Sequence, residues 1–494
     1  MDSNEGCNFY EMQIGTESCM VNRNQQTLQK ITRFEDIYPL YNEEYGLHFM
    51  MEDGTIYPLN KCVIGYTKVL AKYNSDSEYF HVLCETKRKH IDAIMRSIYG
   101  LGLQKPSMVQ TMGLLPLING QDSIIQFKSG TGKTFTFLIG LLWGFDPANE
   151  SLQYIFLTST HEVASQIFDL VQKIVPGANV SLCIGGTKQQ AGGFKTNNRQ
   201  TSLNEKRLEL KKAQIIVGTV GKTYEFMCIK KMIPSVEHVR AICMDEFDQL
   251  ISPQKTRNSS YEVKTEDQVR CILSSIPEYA QRVFFSATVI PDSDKIARSF
   301  FRPYDEDVGE PFMLLLSEDN FVVTGIRHYY VTFGTNDDKC DALVELWGRM
   351  RNGGQGIIFV NRTDSAYKLQ TFLETELKGV TFGVFHGGID GPTRDKIFQD
   401  FKSGACRYLI STDVLSRGID VQSINFVINF DMPDKLETYI HRIGRGGRYG
   451  RKSIAINFVL VNRDMDEMLK VNAINEKGQM NKMEPLPSNI EDLL

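Results

Sequence analysis

Five short runs in the first part of the chain, SIIQF (123–127), YIFLTS (154–159), AQIIVGT (213–219), AICMDEF (241–247) and RVFFSAT (282–288), are rich in β-branched or aromatic residues and show no polar alternation. A strand with one face in water alternates; a strand buried on both faces does not, and such strands belong to parallel sheets covered by helices. Longer periodic segments separate the runs, so the pattern predicts an α/β fold. Each run ends in polar or glycine residues, at the rim where ligands of an open α/β sheet collect. A second series follows: HYYVTF (328–333), GIIFVN (356–361), TFGVFH (381–386), RYLIST (407–412), NFVINF (425–430) and SIAINFV (453–459). Between the two lies FMLLLSEDNFVVTG (312–325), with an acidic, polar middle that suits a linker. The expected organisation is an N-terminal extension over 1–84, an α/β domain over 85–315, a linker over 316–325 and a second α/β domain over 326–494.

A chain of 494 residues, 42% hydrophobic and 23% charged, can bury two cores of this kind and is neither a disordered nor a disulfide-stapled protein. Residues 1–80 carry 6 basic and 12 acidic side chains, so the net charge of −5 resides in the extension and leaves the remainder near neutrality. Bulk charge therefore says nothing about a nucleic-acid partner; local patches must. The ten cysteines are scattered without zinc-knuckle or redox-dithiol spacing and read as thiols of a reducing compartment. The N-terminus lacks a signal-peptide pattern, and the most apolar stretch, around Phe135 to Phe145, is too short to span a bilayer. The expectation is a soluble monomer, cytoplasmic or nuclear, with no membrane partner.

The sharpest chemical signal is Ser129-Gly130-Thr131-Gly132-Lys133-Thr134, between the run SIIQF and an apolar segment that reads as a helix. Strand, glycine loop and helix start form a phosphate cradle: glycines let backbone N–H groups approach, Lys133 reaches terminal phosphates and Thr134 offers a hydroxyl to magnesium. The full phosphate-loop pattern asks for glycine five residues before Gly132, where this chain has Phe127. About 110 residues on, Asp245-Glu246-Phe247-Asp248 closes the run AICMDEF. A carboxylate at the tip of a strand beside such a loop holds a nucleotide's magnesium, and a neighbouring Glu orients or deprotonates the attacking water. Acidic residues also favour helix N-termini for dipole reasons alone, and the pairing with the loop decides for the functional reading.

SGTGKT, DEFD, Ser286-Ala287-Thr288, STDVLSRGID (411–420) and HRIGRGGR (441–448) stand in the order and approximate spacing of the DEAD-box RNA helicases, and GLQKPSMVQ (102–110) is similar to that family's adenine-reading motif. The resemblance covers about 390 residues, and the tail together with EPLPSNIEDLL looks most like the eukaryotic translation initiation factor 4A group. It implies two tandem RecA-like domains that close over ATP and RNA, with hydrolysis releasing the clamp, Mg2+ as metal, and translation factors or other RNA-processing proteins as partners. By the same resemblance Gln110 reads the adenine edge, Ser129 to Thr134 hold phosphates, and Thr134 with Asp245 holds the metal, partly through water. Glu246 is then the general base, and Ser286 and Thr288 link Asp248 to His441. Asp420 contacts the ribose, and Arg445 and Arg448 act as arginine fingers. RNA contacts fall to Thr160, Gly185, Gly186, Thr219, Gly221, Lys222, Arg394, Thr412 and Arg417, whose N–H and O–H donors suit a site that reads backbone.

The chain departs from the family in several places. Phe127 replaces the alanine opening the phosphate loop and Phe247 the alanine inside DEAD; PTRELA is here Ser159-Thr160-His161-Glu162-Val163-Ala164, and TPGR is TVGK. The aromatic that would stack on adenine, about 17 residues before Gly102, aligns with Glu85, leaving Tyr79 or Phe80 as distant substitutes. The two phenylalanines are expected either to pack on each other or simply to enlarge the core; crowding of the site by Phe247 would instead slow hydrolysis. A hydrolysis-impaired RNA clamp is therefore the alternative to the helicase, with a DNA helicase third. The segment 187–212, with 7 basic and 2 acidic residues, follows Gly185-Gly186 and is a candidate for an extra phosphate contact.

Overall fold

The computed structural model describes residues 9–14, 17–22, 31, 33–34, 40–42, 46–50, 56–58, 78–127, 130–185, 199–233, 235–251, 264–287, 298–303, 310–316, 326–349, 354–416, 424–446, 453–466, 468–469 and 483–487. The sequence-predicted site residues Ser129, Gly186, Thr288, Arg417, Asp420 and Arg448 lie outside them, as do most of the linker and much of the extension. The chain divides into two compact units whose main break falls between Ser317 and Glu318.

The strands, in chain order, are β1 (Phe9–Ile14), β2 (Glu17–Asn22), β3 (Leu40–Asn42), β4 (Gly46–Met50), β5 (Ile56–Pro58), β6 (Ser123–Gln126), β7 (Tyr154–Thr158), β8 (Val180–Cys183), β9 (Ile215–Thr219), β10 (Ala241–Met244), β11 (Gln281–Ser286) and β12 (Phe312–Leu316). They continue with β13 (Ile326–Phe333), β14 (Gln355–Phe359), β15 (Phe382–Phe385), β16 (Tyr408–Ser411), β17 (Ile424–Asn429), β18 (Ser453–Leu460) and β19 (Glu484–Pro485).

The first unit is built on the sheet β1-β2-β12-β6-β11-β10-β7-β9-β8. Strands β6 to β11 pair in parallel throughout, so their carboxyl ends share one rim. The side chains of β6, β7 and β10 are buried without alternation, as their apolar runs require. Helices fill the crossovers: Lys133–Leu142 follows β6 and His161–Ile174 follows β7. The second of these begins at Thr160, whose hydroxyl accepts a hydrogen bond from Val163 N at 3.4 Å and satisfies one of the orphan donors of the first turn. One core joins Ile216, Met244, Phe247, Phe284 and Phe300.

Strand β12 pairs in parallel with β6, and on its other side the hairpin β1–β2 adds two strands through antiparallel pairing of β12 with β2. The expected N-terminal extension is thus partly absorbed into the sheet, and the run 312–316 belongs to that sheet rather than to the linker stretch. Strands β3 to β5 form a small antiparallel sheet of their own.

The second unit is a parallel sheet in the order β15-β16-β14-β17-β18-β13-β19. Along β14 the side chains alternate between two cores: Ile358 joins Trp347, Tyr408 and Phe426 on one face, and Ile357 and Phe359 join Phe385, Phe401 and Leu409 on the other. Both faces are covered, which explains the unbroken apolar run Ile357–Phe359; the one polar residue of the strand, Gln355 at its start, is buried with its amide donating to Cys406 O at 3.3 Å.

Candidate nucleotide and RNA site

The phosphate loop leaves β6 through Phe127 and enters the helix Lys133–Leu142 at Gly132. Gly132 sits at φ +103°, and a Cβ there would meet Gln110 Nε2 and Ser107 Oγ at 2.9 Å. Glycine is required on both counts, because the left-handed backbone is costly for L side chains and the space is taken. Gln110 lies in the helix Met108–Ile118, 2% exposed, with Oε1 accepting from Ser107 N at 2.8 Å and Nε2 donating to Gly132 O at 3.4 Å. The residue expected to read adenine is therefore moored to the loop expected to hold phosphates. Lys133 Nζ donates to Phe127 O at 2.6 Å, holding its ammonium inside the loop.

Across the rim, β10 ends in Asp245 and Glu246. Asp245 N donates to Leu157 O at 2.9 Å, and Asp245 Oδ1 accepts from Glu246 N at 2.9 Å. Burial pushes the Asp245 carboxyl up to about 7; the Glu246 charge adds to the rise and the Lys133 ammonium opposes it. Glu246 adopts φ +55°, a left-handed conformation rare for a residue with a side chain. Its carboxylate accepts a hydrogen bond from Ser159 Oγ, at the end of β7. Asp248 accepts from Ser286 Oγ at 3.0 Å and from Gln249 Nε2 at 3.2 Å. The link from Ser286 to Asp248 is present as expected; its continuation through Thr288 lies outside the described residues.

Phe247 is fully buried, stacked on Phe284 at 4.4 Å between ring centroids and edge-on to Phe300 at 5.6 Å. The expected mutual packing of Phe127 and Phe247 does not occur. Strand β11 lies between β6 and β10, and Phe247 joins the cluster of Ile124, Met244 and Phe284 on one face of the sheet; Phe127, three residues past Ile124, has the opposite strand parity and is not part of that cluster. Phe247 enlarges the core; its ring joins the apolar cluster, while the neighbouring carboxylates are held by Ser159 and Ser286.

The remaining first-unit residues gather over β7, β9 and β8. Thr160 caps the helix after β7, and the next residue, His161, accepts at Nε2 a hydrogen bond from Gly185 N at 3.3 Å, just after β8. Thr219 closes β9, Gly221 is exposed, and Lys222 Nζ pairs with Glu225 Oε2 at 2.8 Å while lying 4.6 Å from the centre of the Phe226 ring. Of the basic segment, Lys206 is spent on Ser181 Oγ, Leu182 O and Glu209. Lys211 ends its helix, with Lys212 next to it, at the entry to β9, the rim opposite Thr219; residues 187–198 of the segment, with Lys188 and Lys195, lie outside the described residues.

In the second unit Thr412 follows β16 and donates its N–H to Phe385 O at 3.2 Å, and Arg394, 7% exposed, lies in the helix Gly391–Ser403. His441 and Arg445 are buried, and Arg445 Nε donates to His441 O at 3.1 Å. The arginine between them was not singled out by sequence. Arg442 is fully buried, bonded to Asp413 at 2.6 Å, Asn361 Oδ1 at 2.7 Å and Asp431 O at 2.7 Å, with Phe359 under its guanidinium at 5.2 Å. Also missed was Phe34. It is fully buried, edge-on to Tyr99 at 6.5 Å, and Ile31 N donates to Thr111 O at 3.1 Å, beside Gln110.

A parallel sheet with a glycine-built phosphate cradle and buried carboxylates on one rim is the architecture of a phosphate-loop nucleotide-binding protein, here followed by a second parallel α/β unit. Residues 107–296 match the DEAD/DEAH box helicase family and residues 338–450 the helicase conserved C-terminal domain. A protein of Acanthamoeba polyphaga mimivirus that bears the name "Putative ATP-dependent RNA helicase R458" is 40% identical over 99% of this chain and 98% of its own. The ATP-dependent RNA helicase eIF4A of Chaetomium globosum is 34% identical over 81% of this chain and 91% of its own. Among solved structures, Saccharomyces cerevisiae Dbp5 bound to RNA and ADP-BeF3 aligns with a TM-score of 0.66 at 30% identity, over 81% of this chain and 95% of that one. The chain belongs to the DEAD-box family of ATP-dependent RNA helicases.

Proposed function

We propose that this protein hydrolyses ATP to bind RNA and to separate or remodel short duplexes locally, in a cytoplasmic step of translation initiation or a related RNA process. The observation that carries the reading is the shared rim: the ends of β6, β10 and β11 present the phosphate loop, the carboxylates and Ser286, while the ends of β7, β8 and β9 present Thr160, Gly185 and Thr219. In this reading residues 85–315 form the ATP-binding domain and 326–494 the second RecA-like domain. Gln110 recognises adenine, from a buried position moored to Gly132.

The residues present fit a nucleotide-bound magnesium. Gly132 leaves a cradle that any Cβ would fill, and Asp245 stands beside it as a buried carboxylate. Thr134 and Asp245 would hold the magnesium, and it would supply charge neutralisation at the phosphates. Lys133 releases Phe127 O to take a phosphate oxygen, Glu246 accepts the proton of the attacking water, and Arg445 and Arg448 meet developing charge on the transferred phosphoryl group. Thr160, Gly185, Thr219, Gly221, Lys222, Arg394, Thr412 and Arg417 hold the RNA backbone, and recognition of 2′-hydroxyls separates RNA from DNA. Among the described residues no helix is long and apolar enough to cross a membrane.

Phe247 favours turnover over a hydrolysis-impaired clamp, because its ring is committed to the core. The test is strand separation: a short RNA duplex with a single-stranded overhang should separate with ATP and persist with a non-hydrolysable analogue during multiple turnover. Equal separation of the corresponding DNA duplex, or none of either, would refute the reading.

A further inference from the structure

The end of β7 carries a hydrogen bond that the family motif cannot make. Strands β7 and β10 run parallel with Leu157 opposite Met244, so continuing the register sets Ser159 opposite Glu246. Ser159 Oγ donates to Glu246 Oε2 there. The corresponding position of PTRELA is proline, which has no hydroxyl. The hydrogen bond falls on the one residue of this carboxylate cluster whose backbone is left-handed, φ +55°, so the side chain is fixed from a strained main chain by a partner on a different strand. A donor to an ionised carboxylate is among the stronger and more directional hydrogen bonds.

Ser159 has a second neighbour of consequence. The next residue, Thr160, caps the helix His161–Ile174, and His161 reaches Gly185 N at 3.3 Å. A single turn of backbone therefore joins the Glu246 carboxylate to two groups assigned to the RNA backbone. We propose that Ser159 is a positioning residue for ATP hydrolysis, whose hydroxyl orients the Glu246 carboxylate and ties it to the RNA-contacting end of β7. The inference rests on Glu246 acting as the general base. Ser159 acts through Glu246, so its loss lowers the rate of the chemical step and leaves ground-state binding unaltered.

The experiment compares the full chain with Ser159→Ala, Ser159→Thr and Glu246→Gln in steady-state ATP hydrolysis at saturating single-stranded RNA. Binding of a fluorescent single-stranded RNA is measured in parallel with a non-hydrolysable ATP analogue. Ser159→Ala should lower the RNA-stimulated kcat about tenfold, with the KM for ATP and the RNA Kd within about twofold of the parent. Ser159→Thr, which keeps the hydroxyl at a half-exposed position, should restore kcat to within about threefold. An unchanged kcat in Ser159→Ala, a parallel loss of ATP or RNA affinity, or failure of threonine to rescue would overturn the proposal. Glu246→Gln separates the two levels. If it turns over ATP like the parent, the base assignment itself fails; if it is inactive while Ser159→Ala is normal, only the role of Ser159 falls.

Discussion

Replacing Phe247 by alanine, the residue the family carries at this position, separates a packing role from a catalytic one. The ring is fully buried, stacked on Phe284 at 4.4 Å and edge-on to Phe300 at 5.6 Å, inside the main core of the first unit. Truncating a buried phenylalanine to alanine costs about 3–5 kcal/mol in lost transfer energy and residual cavity. Each of the two aromatic pairs contributes roughly 0.5–1.5 kcal/mol beyond area burial, which favours the upper half of that range. For a unit of this size 1 kcal/mol corresponds to roughly 2–4 °C, so the first unit's thermal midpoint should fall by about 10 °C or more. Because two units unfold, differential scanning calorimetry with and without an ATP analogue identifies which transition moves. RNA-stimulated turnover per folded molecule, measured well below that transition, should stay within about twofold of the parent. A midpoint that does not move, together with turnover several times faster, would mean that the ring crowds the nucleotide, and would refute the packing argument.

Other consequences follow from the same geometry. Arg442→Ala leaves Asp413, Asn361 and the Asp431 carbonyl without their shared donor, and should destabilise the second unit by about 3–5 kcal/mol in urea unfolding; Arg442→Lys should not rescue it, because an ammonium cannot span three separated acceptors. Gly132→Ala should abolish binding of a fluorescent ATP analogue while the thermal midpoint shifts far less than in Phe247→Ala, since the new methyl meets Gln110 and Ser107 at the cradle. Burial pushes His328 from its usual 6.5 down to about 4, so the folded state favours the neutral ring that bonds Tyr439 at 3.0 Å. The stability this contributes is complete above about 6.5 and is lost as pH falls toward 4; the second unit's midpoint should drop across that window, and His328→Gln should flatten the drop.

The two sheets were legible because their strands are buried on both faces. SIIQF, YIFLTS and RVFFSAT became β6, β7 and β11 within a residue or two at each end, AICMDEF became β10 but overran it by three residues, and the second series became β13 to β18 within a residue or two. Val180–Cys183 was missed for the same physical reason in reverse: it is the edge strand β8, half-exposed in alternation, too short and too mixed to stand out. The pairing of β12 with β6 and β2 depends on partners about 190 and 290 residues away, which no local pattern reports. The phosphate loop and the carboxylates were readable as spacing. Phe34 beside Tyr99, Arg442 as a buried hub and Ser159 on Glu246 were not, because each owes its place to a contact between segments distant in sequence. Arg442 in particular reads as one more basic residue of HRIGRGGR until its acceptors are seen. Of the two expectations for Phe247, packing on Phe127 or enlarging the core, the second holds, because its ring stacks on Phe284 of β11 within a cluster that does not include Phe127.

ATP turnover and its dependence on RNA report most directly on the coupling at the rim of the first sheet. Steady-state hydrolysis by the full chain should be slow alone, rise about tenfold or more on adding single-stranded RNA, respond little to single-stranded DNA, and disappear in Glu246→Gln, which keeps the shape of the side chain and removes its basicity. Turnover indifferent to RNA, or surviving intact in Glu246→Gln, would contradict the central claim that one rim of the first sheet couples RNA to hydrolysis.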